Sequence, residues 1–169
     1  IMSAVCGALF LFAGASALGN GSNPVSGKKP NIIVFLVDDM GWQDTSLPFW
    51  TQRTHYNDTY HTPNMERLAA QGKMFTQAYA CSISSPTRVS LFTGMNAARH
   101  RVTSWTLRKN TTHEQPDSVM IYPEWNVNGI CQEPGIERTT QVTTLAQVLK
   151  ENGYQTCLLY TSPSPRDKR

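Results

Sequence analysis

The sequence predicts an α/β fold, in which buried strands alternate with helices along the chain. A continuous β-branched and apolar run at residues 31–37 is typical of a strand in a parallel sheet that helices cover on both faces. Start and stop signals for helices follow at residues 62–72, 84–94 and 144–153. With 169 residues, 40% of them hydrophobic, the chain fits one domain or part of a larger one.

The first predicted helix begins at Thr62-Pro63. Thr62 suits the N-cap, Pro63 suits the first helical position, and Gly72 ends the apolar stripe. Residues 73–79 then favour a second strand.

The last predicted helix begins at Thr144. Thr144 and Gln147 fit a capping box, and Gly153 is a typical C-terminal stop. Residues 154–159 favour a further strand, which completes the alternation expected of an α/β fold.

The segment between these helices, residues 101–141, has no sustained hydrophobic period. Loops of this length are usually functional, or they contain elements that the pattern does not reveal. Trp105 and Trp125 lie in it, either as platforms on which a sugar stacks or as parts of a local core.

The charge balance excludes two classes of protein. Fifteen basic and twelve acidic residues give a net charge of +3, which excludes a strongly basic nucleic-acid binder and an acidic disordered tail. We therefore expect no nucleic-acid partner.

The N-terminal segment resembles a secretory signal. Residues 4–18 are apolar, and an Ala-Ser-Ala cleavage pattern ends at Ala17, although the basic n-region is missing. We predict an N-terminally incomplete signal peptide at residues 1–19, a linker at 20–29, and export to the periplasm or the extracellular space. The alternative is a buried helix.

Two adjacent carboxylates, Asp38 and Asp39, follow the first strand. Ligands of open α/β sheets bind outside the carboxyl ends of the strands. Adjacent carboxylates repel each other unless a positive group lies beside them, and a hard divalent cation with oxygen ligands meets that need. A turn with a helix-capping aspartate is the alternative.

The helix predicted at residues 84–94 carries the second candidate group. Ser84 lies at its N-terminus, Pro86 in its first turn, and Arg88 one turn inside it. A helix N-terminus and a guanidinium together suit an oxyanion such as sulfate or phosphate. The alternative is an ordinary serine- and proline-rich helix start.

These segments together resemble the formylglycine-dependent sulfatases of the alkaline phosphatase superfamily, over residues 29 to about 159. The matching motifs are Ser84-x-Pro86-x-Arg88 with Leu91-x-Thr93-Gly94, Pro30-Asn31-Ile32-Ile33 leading to Asp38-Asp39-Met40-Gly41, Thr62-Pro63-Asn64-Met65-Glu66-Arg67-Leu68-Ala69, and Thr144-Leu145-Ala146-Gln147-Val148-Leu149.

The resemblance implies a fold and a chemistry. Residues 30–159 would form the N-terminal part of an alkaline-phosphatase-like mixed sheet flanked by helices. Ser84 would be oxidised to formylglycine by a maturation enzyme, as in the serine-type enzymes of bacteria, and Arg88 would support it. Asp38, Asp39 and Ser84 would bind a divalent metal, usually calcium, and the substrate would be a sulfated small molecule or polysaccharide.

The sequence also departs from the family pattern. Thr87 replaces the commoner serine, and Met95 stands where many members have Arg or Lys. A Gly-Lys-x-His segment is expected after residue 159, but the chain continues with residues 160–169, which we predict to be a non-native tail on an inactive fragment. His100 would line the substrate entrance or be an exposed structural residue.

Two other functions stay open at this point. One is a phosphate or phosphonate ester hydrolase of the same superfamily, and the other is a truncated protein without catalytic activity.

Overall fold

A computed structural model describes the backbone of residues 9–13 and, with side chains, residues 29–106, 110–111 and 117–158. The chain divides into two units, Ile1–Ser84 and Ser85–Arg169. The predicted linker up to residue 28 and the predicted tail lie outside the described residues.

The apolar run after Pro30 forms a strand, as predicted. This strand, β2 (Ile32–Leu36), pairs in antiparallel register with β1 (Leu9–Ala13), with Leu11 opposite Val34. β1 lies inside the predicted signal peptide, which itself stays a prediction. A strand with unpaired backbone groups is a template for any extended apolar segment, and β1 supplies one.

The expectation of a buried parallel strand is wrong for β2 in this structure. Its pairing is antiparallel, and Ile33 and Phe35 are 68% and 61% exposed. The β-branched composition correctly indicates an extended backbone. It does not reveal the direction of the partner strand or what covers each face.

A loop joins β2 to a short helix, α1 (His55–Thr59), and the buried side chain of Asn57 holds this loop in place. The Asn57 Nδ2 donates to the carbonyl oxygens of Thr45 at 2.9 Å and Leu47 at 3.2 Å. Its Oδ1 accepts the backbone N–H of Thr54 at 2.9 Å. One side-chain amide therefore satisfies backbone groups of the loop that a helix or a sheet would otherwise pair with other backbone groups.

The next helix, α2 (Pro63–Gln71), begins and ends where the sequence predicts, with Thr62 at the N-cap and Gly72 at the C-cap. The Thr62 hydroxyl makes no capping bond within the helix. It accepts the Ser46 N–H at 3.0 Å and lies 2.7 Å from the Ser46 Oγ. The N-cap position was therefore predicted correctly, but its side chain fastens the preceding loop instead.

The strands predicted at residues 73–79 and 154–159 do not form in the described part of the chain. Residues 73–79 and 154–158 have no regular structure, and Phe75 and Leu158 are largely exposed. A strand needs hydrogen bonds to a neighbour, and apolar composition alone provides no neighbour.

Three helices lie farther along the chain: α3 (Ser84–Thr93), α4 (Ala97–His100) and α5 (Leu145–Glu151). The predicted capping box of α5 is present, because Gln147 N–H donates to Thr144 Oγ1 and Thr144 N–H donates to Gln147 Oε1. Among the helices of the described residues, none is long and apolar enough to cross a lipid bilayer.

The aperiodic segment between α4 and α5 is held mainly by side chains. Asn128 Nδ2 donates to the carbonyl oxygen of Glu137 at 2.7 Å and to Asn110 Oδ1 at 2.8 Å. An isolated parallel bridge joins Ile130 and Thr140. Such bonds leave no hydrophobic period in the sequence, so no helix or strand was predicted there.

Candidate active site

Asp38 and Asp39 form an exposed turn directly after β2. Asp39 has a φ of +55°, in the left-handed region where Asp and Asn are the least disfavoured residues apart from glycine. The turn ends the strand, and both carboxylate-bearing residues are exposed. The structure thus agrees with the predicted position at a strand end.

Gly41 and Asp44 close the loop that follows this turn. The Gly41 N–H donates to Asp44 Oδ2 at 2.7 Å, and the Asp44 N–H donates to the Gly41 carbonyl at 3.1 Å. A Cβ at position 41 would lie 2.7 Å from the same Oδ2, so a larger residue there would displace the Asp44 carboxylate from this contact. The Tyr60 hydroxyl donates to Asp44 Oδ1 at 3.3 Å, and the Asp44 charge raises the pKa of Tyr60.

Ser84 is the first residue of α3, and Arg88 lies one turn later on the same helix; both are half-buried. The backbone N–H groups of a first helical turn have no acceptor within the helix, and Pro86 tolerates this position because it has no N–H. The N-terminal end of the helix dipole and the guanidinium charge both favour an anion there. The structure thus brings Ser84 and Arg88 together on one element.

Thr93 and Gly94 terminate α3 and account for the second half of its motif. Thr93 Oγ1 donates to the Val89 carbonyl at 2.6 Å and accepts the Met95 N–H at 3.2 Å. Gly94 has a φ of +68°, which an L-residue adopts only with strain. These two residues define where the helix stops.

His100 is the last residue of α4 and is only 1% exposed, so the expectation of an exposed histidine is wrong. Its Nε2 lies 3.0 Å from Ser90 Oγ, and its Nδ1 accepts the Val102 N–H at 3.1 Å. Desolvation by burial lowers the pKa of His100, and a hydrogen bond with the Pro86 carbonyl acts in the opposite sense. The ring is therefore neutral near pH 7, with its proton on Nε2.

The predicted metal ligands, Asp38, Asp39 and Ser84, are all oxygen donors. Within the described residues no group of three or more His, Cys, Asp or Glu side chains lies close enough together to hold a metal ion. Asp38 and Asp39 offer carboxylate oxygens, the ligands that calcium prefers, but calcium takes about six to eight oxygens. The residue types fit a hard cation, and the metal role of Asp38, Asp39 and Ser84 stays a prediction.

The two tryptophans of the aperiodic segment differ in exposure. Trp105 is 51% exposed and Trp125 is half-buried. Neither side chain is fully buried, and both roles, the sugar platform and the local core, stay predictions.

Sequence reasoning missed the residues that hold His100. Ser90 lies four residues after Pro86, so both belong to one face of α3. Asn126 and Thr140, far along the aperiodic segment, bond to the His100 carbonyl. No local pattern indicates such long-range contacts.

Comparisons with known proteins agree with the motifs. Residues 30–165 match the model of the Sulfatase family. A sulfatase of Formosa agariphila is 44% identical over 70 residues, which are 41% of this chain and 12% of that protein. Arylsulfatase G of Canis lupus familiaris is 31% identical over 139 residues, 82% of this chain and 20% of that protein.

A third relative is named for a sulfated amino sugar. N-acetylgalactosamine-6-sulfatase of Canis lupus familiaris is 30% identical over 147 residues, 86% of this chain and 23% of that protein. This chain therefore spans at most about a quarter of the length of these three relatives.

Proposed function

The chain belongs to the sulfatase family, and from that premise we propose that the protein hydrolyses sulfate esters at a site built around Ser84. The observation that supports this most is the pairing of Ser84 and Arg88 on consecutive turns at the N-terminus of α3. A sulfate group is an oxyanion, and the first turns of α3 combine a helix N-terminus with an arginine and a modifiable hydroxyl.

Ser84 is the proposed site of the catalytic modification. A serine hydroxyl is a poor nucleophile near neutral pH. A maturation enzyme with its own two-electron oxidant would remove two hydrogens from Ser84 and give formylglycine, whose hydrated aldehyde supplies the nucleophilic hydroxyl. Arg88, one turn away, would balance the negative charge that collects at this position.

Asp38 and Asp39 are the proposed protein ligands of a calcium ion, together with the modified Ser84. A divalent cation supplies charge that lowers the pKa of a bound hydroxyl and polarises an oxyanion. Both residues lie on the exposed turn after β2, where Asp39 takes a left-handed backbone conformation.

A sulfated carbohydrate is the proposed substrate class, and export to the periplasm or beyond is the proposed location. Trp105 is half-exposed, and an indole face can stack on the apolar face of a sugar ring. One relative is named for a sulfated amino sugar. The signal-like segment at residues 4–18 agrees with an exported enzyme that meets such polymers.

The test uses the complete gene product, translated from the whole reading frame that contains this sequence, and coexpressed with an oxygen-independent radical maturation enzyme. Hydrolysis of an aryl sulfate and of the matching aryl phosphate is measured for the wild type, Ser84→Ala and Ser85→Ala. We expect sulfate turnover in the wild type, loss to background in Ser84→Ala, and near-normal turnover in Ser85→Ala.

Two results would contradict the proposal. Faster hydrolysis of the phosphate would favour the phosphate ester hydrolase of the same superfamily. Loss of activity in Ser85→Ala with full activity in Ser84→Ala would move the nucleophile to the neighbouring residue.

A further inference from the structure

His100 is buried against the helix that carries the proposed nucleophile, although it lies outside the motif. The ring Nε2 is 3.0 Å from Ser90 Oγ, and the Pro86 carbonyl also hydrogen bonds with His100. Both contacts are on α3, one turn apart. His100 therefore touches one narrow strip of that helix.

This strip lies on the side of α3 opposite to the candidate active residues. Successive residues of an α-helix are about 100° apart. Measured from Ser84, Arg88 lies about 40° away, whereas Pro86 and Ser90 lie about 200° and 240° away. Within the strip Pro86 is buried, whereas Ser90 is half-buried, as are Ser84 and Arg88. His100 therefore contacts one side of α3, and Ser84 and Arg88 lie on the opposite side.

The ring Nδ1 and the carbonyl oxygen of His100 also make hydrogen bonds, to residues outside α3. Its Nδ1 accepts the Val102 N–H at 3.1 Å. Its carbonyl oxygen accepts Asn126 Nδ2 at 2.6 Å and Thr140 Oγ1 at 2.9 Å. Because Nδ1 accepts a hydrogen bond, the proton of the neutral ring is on Nε2. The two bonds to the carbonyl oxygen connect His100 to the aperiodic segment.

We propose that His100 is a positioning residue: through Ser90 and the Pro86 carbonyl it sets the rotation of α3 about its axis, and so the direction of Ser84 and Arg88. The inference rests on the proposed function for its effect on turnover. A nucleophile displaced by about 1 Å can lose roughly a hundredfold in rate. Loss of the His100 contacts should therefore lower kcat by about ten- to a hundredfold and leave KM almost unchanged.

The experiment compares four variants of the complete gene product. His100→Phe keeps a ring but no hydrogen bond, and His100→Gln restores a donor near the Nε2 position. Ser90→Ala removes only the hydroxyl and remains informative if His100→Phe does not fold. Asn128→Ala is the control, since it removes three side-chain hydrogen bonds, to Asn110 and Glu137, without touching α3.

Two readouts are taken: kcat and KM for an aryl sulfate, and hydrogen exchange of the α3 amides. We expect faster exchange in α3 and a lower kcat in His100→Phe and Ser90→Ala, recovery of both in His100→Gln, and wild-type values of both in Asn128→Ala. Because exchange needs no activity, it supports or overturns the positioning role even if the wild type hydrolyses no sulfate ester.

Wild-type exchange in α3 for both His100→Phe and Ser90→Ala would overturn the proposal. So would a change in KM with an unchanged kcat, which would place His100 in substrate binding instead. Failure of His100→Gln to recover kcat or protection would show that ring packing, and not the hydrogen bond, matters.

Discussion

Replacing Asn57 by alanine should destabilise the unit that contains Asp38 and Asp39. The Asn57 amide is fully buried and makes three bonds of 2.9–3.2 Å to the backbone of Thr45, Leu47 and Thr54. A hydrogen bond contributes about 0.5–1.5 kcal/mol, and a stranded buried polar group costs about 1–3 kcal/mol. Because the loop can relax towards solvent, we expect a loss of about 2–4 kcal/mol, a large share of the roughly 5–15 kcal/mol that stabilises a typical protein.

Replacing Asn57 by aspartate should also lower the free energy of unfolding, but by an amount that depends on pH. The new carboxylate keeps the acceptor towards Thr54 but faces the carbonyl oxygens of Thr45 and Leu47, which it can only repel while ionised. Protonation supplies a donor again, so this variant should become more stable relative to the wild type as the pH falls from about 7 to 4.

The assay is urea unfolding of the complete gene product, followed by the fluorescence of Trp42 and Trp50, whose rings lie 6.3 Å apart in the same loop. Asn64→Ala is the matched control, because Asn64 is exposed on α2 and should change stability by less than about 0.5 kcal/mol. Equal unfolding midpoints for Asn57→Ala and Asn64→Ala would refute the reasoning.

Three further predictions concern the candidate site and its supports. Gly94→Ala should cost about 1–2 kcal/mol in urea unfolding because of its φ of +68°, and Gly94→Asn should cost less; the reverse order would contradict a backbone origin. Burial lowers the pKa of His100, so the unfolded chain binds the proton first as the pH falls. Thermal unfolding should show stability present above about pH 6.5 and lost as the pH falls towards the folded pKa, and His100→Gln should flatten this dependence. Asp39→Asn keeps a residue that tolerates the left-handed turn, and should weaken calcium binding in calorimetry about tenfold or more; unchanged affinity would exclude Asp39 as a ligand.

Local signals predicted α2, α3 and α5, but not the short helices α1 and α4. Thr144 and Gln147 form the expected capping box, and Gly153 takes a φ of +75° at the end of α5. These features depend on residues three to nine positions apart, which the sequence displays directly. The same holds for α3, whose motif places Ser84 and Arg88 one turn apart without any tertiary information.

Strand pairing and burial could not be predicted in the same way. Residues 73–79 have strand-forming side chains but do not pair with another strand among the described residues. The sequence of one segment does not show which other segment, if any, pairs with it. His100 is a similar case: its burial depends on Asn126 and Thr140, which are 26 and 40 residues away. The candidate carboxylates were located because they follow a strand, whereas their metal role depends on ligands beyond any local pattern.

The most direct test of the central claim is the mass of the peptide that contains Ser84, from the complete gene product made with and without the maturation enzyme. Conversion of the hydroxyl to an aldehyde removes two hydrogens, so the account predicts a peptide about two mass units lighter, with the change assigned to Ser84 by fragmentation. The lighter peptide should increase in proportion to aryl sulfate turnover, and Ser84→Ala should show neither. A fully active enzyme whose Ser84 has its unmodified mass would contradict the account.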